Sequence, residues 1–173
     1  MYVKEEIIAG LGTSAEAVST WIEHQSEEKF IEGPLDKWTT SQHLDHLHQV
    51  VVLINKALRL PKFLLRWRFG KPNRKGRDYD ALVTRYKEKL KGFVGTNNTT
   101  SGKTHAIEEK KSLLVNFQIQ IQRLQKVLEK WSEEDLDKYL IPHPLLGKLT
   151  IRELMLWMVY HHYHHLDNLK ANY

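Results

Sequence analysis

The stretch that decides the fold is C-terminal and reads Thr150-Ile-Arg-Glu-Leu-Met-Leu-Trp-Met-Val-Tyr-His-His-Tyr-His-His165. A threonine followed three residues later by a glutamate is a capping box, so a helix is predicted to begin at Thr150 and to continue to the C-terminus. Apolar residues recur along it at steps of three and four, and the same steps lead to His161 and His165. Both imidazoles are therefore predicted to lie on the inward stripe of one helix, one turn apart, with His162 facing outward.

Helical periodicity dominates the rest of the sequence, and no stretch alternates apolar and polar residues clearly enough to predict a strand. Further long helices are predicted over residues 2–30, 39–60 and 104–131, the second with Thr39 or Thr40 as its N-cap, and short helices over 78–91 and after Ser132. Residues 61–77, 95–102 and the segment around Pro142 and Pro144 are predicted to be irregular. Four long amphipathic helices indicate an all-α fold, a four-helix bundle in a single domain over residues 1–173, with a long connection between its second and third helices.

The composition limits the chemistry that the chain can perform. The chain has ten histidines and no cysteine. The absence of cysteine excludes a disulfide framework, a thiolate zinc site, an iron–sulfur cluster and a cysteine nucleophile. No apolar run approaches the roughly 18 residues of a membrane span, and the first residues lack the features of a signal peptide. We therefore expect a cytoplasmic protein without a membrane partner.

The net charge of +5 has a local origin. Residues 59–77 contain eight lysines and arginines and no acidic residue, so this segment carries +8 and the rest of the chain −3. Its mixture of arginines and aromatic residues suits contacts with anions, and the candidates are Arg66, Arg68, Arg74 and Arg77. A solvated basic face is the favoured interpretation; an anionic substrate mouth, and after it nucleic acid or a membrane surface, are the alternatives.

Two neutral imidazoles four residues apart can bind one metal ion, although one core histidine and one surface histidine explain the same spacing. The second helix carries three candidates for a third ligand: His43, His46 and His48. Periodicity slightly favours His43, because it lies near the middle of the apolar arc. The remaining histidines, His24, His105 and His143, are predicted to be solvated.

Three motifs resemble those of one known family. Trp38-Thr-Thr-Ser-Gln-His-Leu-Asp-His46-Leu47 is similar to the W-[ST]-x6-H-L signature of the DinB-like (DinB/YfiT) superfamily. His161-His-Tyr-His-His165-Leu-Asp-Asn resembles its H-x-x-H-H-x-x-[QN] signature, with Asn168 where many members have glutamine. Pro142-His-Pro-Leu-Leu-Gly-Lys-Leu-Thr-Ile-Arg-Glu153 resembles the lead-in common in one branch. The resemblance covers essentially the whole chain.

This resemblance implies an up-down-down-up bundle with a divalent metal held near one end by His46, His161 and His165. It replaces the periodicity preference for His43, because the spacing from Trp38 fixes the register. Residues proposed to support the ligands are His43, His164, Asp45 and Asp167. Zinc, nickel, iron and manganese all suit three imidazoles, so the metal is not identified.

A divalent ion lowers the pKa of a coordinated water or thiol, which suits hydrolysis in the first case and group transfer in the second. The family resemblance favours a metal-dependent transferase that uses a low-molecular-weight thiol with a small-molecule substrate. No catalytic base is identified. The first alternative is a non-catalytic bundle that binds metal or forms a homodimer; the second is an anion-binding or nucleic-acid-binding protein that uses residues 59–77.

Overall fold

A computed structural model of the chain describes residues 2–35, 37–92 and 101–173. Its helices are α1 Lys4–Glu23, α2 Glu27–Ile31, α3 Thr40–Leu58, α4 Lys62–Phe69, α5 Tyr79–Lys91, α6 Lys110–Glu129, α7 Glu133–Lys138 and α8 Ile151–Asn172. A 3-10 turn at Ile107–Glu109 precedes α6, and the strands are β1 Leu140–His143 and β2 Gly147–Thr150. The mainly helical fold that periodicity predicted is confirmed.

All four long helices, α1, α3, α6 and α8, contribute side chains to the core. Helix α1 packs against both α6 and α8, and α3 packs against α6. The buried face of α1 follows the predicted helical spacing, and its side chains are at most 2% exposed: Ile7, Leu11, Ala15, Val18 and Ile22. Facing them, Phe117 and Leu124 of α6 are fully buried. None of the described helices combines the length and the apolar character needed to cross a membrane.

Two capping boxes fix the helices that carry the candidate ligands. The Thr39 hydroxyl accepts a hydrogen bond from the Gln42 backbone N–H, and the Gln42 side chain accepts one from the Thr39 N–H, so α3 begins at Thr40. The Thr150 hydroxyl is paired in the same reciprocal way with Glu153 at the start of α8. Both starts agree with the sequence prediction, because these caps satisfy orphan N–H groups through local contacts.

The prediction of an irregular segment over residues 61–77 is wrong for its first half. Pro61 is the N-cap of α4, a position where its missing N–H costs nothing, and the eight residues after it contain no proline or glycine. Leu65 is fully buried, and α4 packs against β1. The remainder, residues 70–77, is irregular as predicted.

A short antiparallel hairpin replaces the loop predicted around Pro142 and Pro144. Strand β1 pairs with β2 from Leu140 opposite Thr150 to His143 opposite Gly147, which adopts a positive φ of 74°. The His143 imidazole stabilises the turn, because its Nδ1 accepts hydrogen bonds from the backbone N–H groups of Leu145 and Leu146 at 3.1 Å. Strands of four residues are too short to show a clear alternation, so the sequence did not indicate them.

The ends of two other helices also differ from the prediction. The first predicted helix is divided, because Ser26 caps the separate helix α2, and the helix predicted from residue 104 begins at Lys110. The flexible loop predicted over residues 95–102 lies mostly outside the described residues. In the long connection between α3 and α6, the structure describes two helices, α4 and α5.

Candidate metal centre

Three histidine side chains from two helices converge on one point. His46 lies near the beginning of α3, and His161 and His165 lie one turn apart on α8. The Nε2 atom of His161 is 3.2 Å from Nε2 of His46 and 3.0 Å from Nε2 of His165. One nitrogen from each of the three rings lies within 4.8 Å of the other two.

This donor set fits a divalent metal ion. Nitrogen ligands that share one ion at about 2.1 Å lie roughly 3.0–3.4 Å apart, and both contacts of His161 fall in that range. Burial lowers the pKa of His161 and of His165 well below the usual value, and neighbouring imidazoles lower it further, so both rings are neutral at pH 7. A hydrogen bond between two neutral imidazoles requires a proton on one of the two nitrogens that face each other. A shared cation instead binds the lone pairs of all three nitrogens at once.

His43 makes a direct contact with one candidate ligand. Its Nδ1 lies 2.7 Å from Nδ1 of His165, on the side of the ring away from the convergence point. When Nε2 of His165 serves as a ligand, its Nδ1 carries the proton and donates to His43, which fixes the tautomer and the ring orientation. Burial, followed by the neighbouring His46 and His164, lowers the pKa of His43 to about 4, so the ring is neutral and its Nδ1 accepts in the tautomer that carries the proton on Nε2.

Two tryptophans enclose the ligand rings. Trp38 stacks on His165 with the ring centroids 6.2 Å apart and packs edge-on against His46 at 5.3 Å. Trp157 stacks on His161 at 4.4 Å, with an angle of 23° between the rings. The Nδ1 atom of His161 is buried and has no hydrogen-bond partner in the part of the chain that the structure describes. Stacking on Trp157 therefore orients the ring of His161, whereas the contact with His43 orients the ring of His165.

The other residues predicted to support the ligands have different contacts. The Asp45 carboxylate accepts hydrogen bonds from Gln49 and from the backbone N–H of Lys103, and it lies 3.2 Å from His105. It thus attaches the segment after residue 100 to α3. His164 is half-buried, stacks on Tyr160 and lies 3.3 Å from the Asn168 amide, and Asp167 is exposed. Their roles stay predictions, but His43 has the shortest contact with a ligand ring.

The four candidate anion-binding arginines are separated by the fold. Arg74 and Arg77 both form ion pairs with Glu153, at 2.7 and 3.1 Å. Arg66 lies over the Tyr139 ring, and Arg68 is exposed. Since Glu153 is only 1% exposed, two of the four guanidinium groups neutralise a buried carboxylate and are not available as a pair for an external anion.

Two histidines that the sequence assigned to the surface are buried. His143 is 7% exposed and packs against Trp157, and His162 is fully buried, with its Nδ1 2.8 Å from the Ser14 hydroxyl. The prediction assumed a single inward stripe on the last helix. Because α1 and α5 both pack against α8, the buried arc is wider than one stripe.

The features above define a helical protein with a histidine site suited to a divalent metal. A family model described as the DinB superfamily matches residues 6–168, nearly the whole chain. The protein therefore belongs to the DinB superfamily, and the resemblance noted from its motifs is confirmed. The chain has no significant match among curated proteins.

Proposed function

We propose that His46, His161 and His165 bind one divalent metal ion. We propose further that the protein uses this ion to catalyse either group transfer to a small molecule or the hydrolysis of one. A low-molecular-weight thiol is the proposed co-substrate for transfer. The observation that carries this proposal is the convergence of three Nε2 atoms, two of them on buried rings whose lowered pKa keeps them neutral.

We also propose that α1, α3, α6 and α8 form the up-down-down-up bundle of the superfamily. The packing of α1 against α6 and α8, and of α3 against α6, supports this arrangement. The ligands then come from two helices that are far apart in sequence, so the site requires the assembled bundle. Helix-borne ligands also hold their positions better than ligands on loops.

The chain's own residues prepare the site in three ways. His43 holds the proton on Nδ1 of His165 so that Nε2 presents its lone pair. Trp38 and Trp157 restrict rotation of the ligand rings and keep water from them. The low pKa of His161 and His165 prevents protons from competing for the lone pairs near pH 7. A bound divalent ion would supply Lewis acidity that lowers the pKa of a water or thiol at this point.

Metal titration followed by activity assays tests the proposal. The protein is purified without a tag, stripped with chelator and titrated separately with zinc, nickel, iron(II) and manganese. We expect one equivalent to bind, and a panel of low-molecular-weight thiols or esters to be consumed only by the loaded protein. Less than about a tenth of an equivalent after reloading contradicts the metal site. Stoichiometric binding without turnover of any compound favours the non-catalytic metal-binding alternative.

A further inference from the structure

An exposed apolar ridge runs along the surface at α4. It consists of Leu60, Phe63 and Trp67, which are 40%, 75% and 79% exposed. The two aromatic side chains are four residues apart and therefore lie on the same helix face. On another face of the same helix, Leu65 is fully buried and packing against β1 holds the helix in place. The ridge is thus a fixed feature of the surface, and its exposure needs an explanation.

Exposed cations flank the apolar ridge in the sequence. Residues 59–77 contain no acidic residue, and the carboxylates that reach this segment from elsewhere pair with Lys62, Arg74 and Arg77. No carboxylate of the described residues forms an ion pair with the exposed members of the segment, which are Arg59, Arg68, Lys71 and Lys75. Arg59 precedes Leu60 and Arg68 follows Trp67, so exposed cationic and apolar groups adjoin each other at both ends of the ridge.

We propose that the apolar ridge and these four cations dock the protein on an anionic lipid bilayer. Tryptophan and phenylalanine favour the boundary between head groups and acyl chains, and nearby lysines and arginines contact anionic head groups. Each cation near such a surface adds to the attraction. This proposal replaces the sequence-based expectation that the protein has no membrane partner, and it concerns the surface only, since no described helix can span a bilayer.

Other occupants fit the surface less well. A symmetric contact with a second copy would bring the same cations face to face, which opposes association. Single-stranded nucleic acid stacks its bases on aromatic rings, but the aliphatic Leu60 offers no ring, and Arg74 and Arg77 are engaged by Glu153. The bilayer boundary accepts both aliphatic and aromatic side chains.

No described hydrogen bond or ring contact joins helix α4 to His161 or His165. Helix α4 follows the C-terminal end of α3, whereas His46 lies near its N-terminal end. The helix between His46 and Leu58 has a length of about 18 Å. Substitutions in the ridge are therefore expected to leave metal binding unchanged. The membrane proposal does not rest on the proposed function, so a failure of vesicle binding is distinguishable from a failure of metal binding.

Vesicle sedimentation of the full-length chain tests the proposal. We expect binding to vesicles of equal parts phosphatidylglycerol and phosphatidylcholine, and little binding to phosphatidylcholine alone. Phe63→Ser/Trp67→Ser and Arg59→Gln/Arg68→Gln should each weaken binding by roughly tenfold or more. The matched controls replace exposed residues elsewhere, Leu53→Ser/Val115→Ser and Lys126→Gln/Lys130→Gln, and should bind as the native protein does.

A fluorescence measurement locates the contact. Brominated lipid should quench part of the tryptophan emission of the native protein, and Trp67→Phe should bind vesicles but lose that part. Absence of binding to the anionic vesicles overturns the proposal, and so does equal binding by the ridge variant. A dimer in solution that the ridge substitutions dissociate, without vesicle binding, assigns the ridge to a second copy. Retention of single-stranded RNA with the same sensitivity, and no vesicle binding, assigns it to nucleic acid.

Discussion

Helix α8 buries ionisable side chains in two places, and the two places treat them differently. In its first turn, Arg152 and Glu153 are 5% and 1% exposed. The Arg152 guanidinium donates to Asp137, Glu133 and the Tyr2 carbonyl.

Burial alone would raise the pKa of Glu153, but hydrogen bonds from Arg74 and from the Arg77 and Thr150 backbone hold that pKa below its usual value. Each charge is thus compensated within the chain.

The middle of the helix buries three imidazoles, and no carboxylate bonds to them in the described contacts. His161, His162 and His165 are at most 8% exposed, and burial lowers the pKa of all three. An unpaired nitrogen does not by itself indicate a ligand, since Nε2 of His162 is unpaired beside Phe117. The difference lies in direction: His161 and His165 point their Nε2 atoms at a third ring, and His162 does not. The ionised groups of the first turn are paired within the chain, whereas Nε2 of His161 and Nε2 of His165 face each other at the candidate metal centre.

The largest expected effect separates His161 from its neighbour. His161→Ala removes the ring that contacts both other candidate ligands, so we expect loss of the bound metal equivalent, a decrease in affinity of at least about 1000-fold. His162→Gln, on the same turn and equally buried, should retain one equivalent. Elemental analysis and calorimetric titration measure both. Unchanged metal content in His161→Ala would show that the ligand set is wrong.

The second effect concerns stability. Glu153→Gln retains the capping geometry at Thr150 but leaves Arg74 and Arg77 without their counter-charge. We expect the free energy of unfolding to fall by about 3 kcal/mol, the low end for a broken buried pair because both arginines are partly exposed. Denaturant unfolding measures the loss. Metal stoichiometry should stay at one equivalent, and a joint loss of metal and stability would show that the two places on α8 are coupled.

A pH-dependent effect follows from His143. Burial lowers its pKa from 6.5 to about 4, so below pH 6.5 the unfolded chain binds a proton that the folded chain does not. The resulting stability is complete above pH 6.5 and is lost as the pH falls toward 4. His143→Asn retains an acceptor for the turn and removes this titration. Between pH 7 and pH 5 the variant should therefore lose about 2 kcal/mol less stability than the native protein. Parallel pH profiles for the two proteins would contradict the prediction.

The smallest effect tests the support of one ligand. His43→Phe preserves the ring that packs against Trp38 but removes the acceptor for Nδ1 of His165. Metal affinity, measured by competition with a chelator, should fall by about tenfold. Asp167→Asn, exposed on the same helix as two ligands, should leave affinity unchanged. A decrease in Asp167→Asn without one in His43→Phe would transfer the supporting role to the carboxylate.

Features that depend on residues close in the sequence were predictable, whereas features that depend on packing between helices were not. The caps at Thr39 and Thr150 depend on residues three positions apart, so the sequence indicated the starts of α3 and α8 correctly. His143 and His162 were assigned to the surface because their burial depends on Trp157, Ser14 and the packing of α1 and α5 against α8. The hairpin was missed because each strand has only four residues.

By itself, the sequence determined that a metal site in this chain must use imidazole, because cysteine is absent, and that two of the candidate imidazoles lie one turn apart on the last helix. It left His43 and His46 as competing third partners until the family motif was considered. Tertiary structure decided that His46 contacts His161, and that His43 contacts Nδ1 of His165. It also brought Arg74 and Arg77 into ion pairs with Glu153. Spacing along a helix fixes neighbours within that helix, whereas contacts between α3 and α8 depend on how the assembled core sets their distance and rotation.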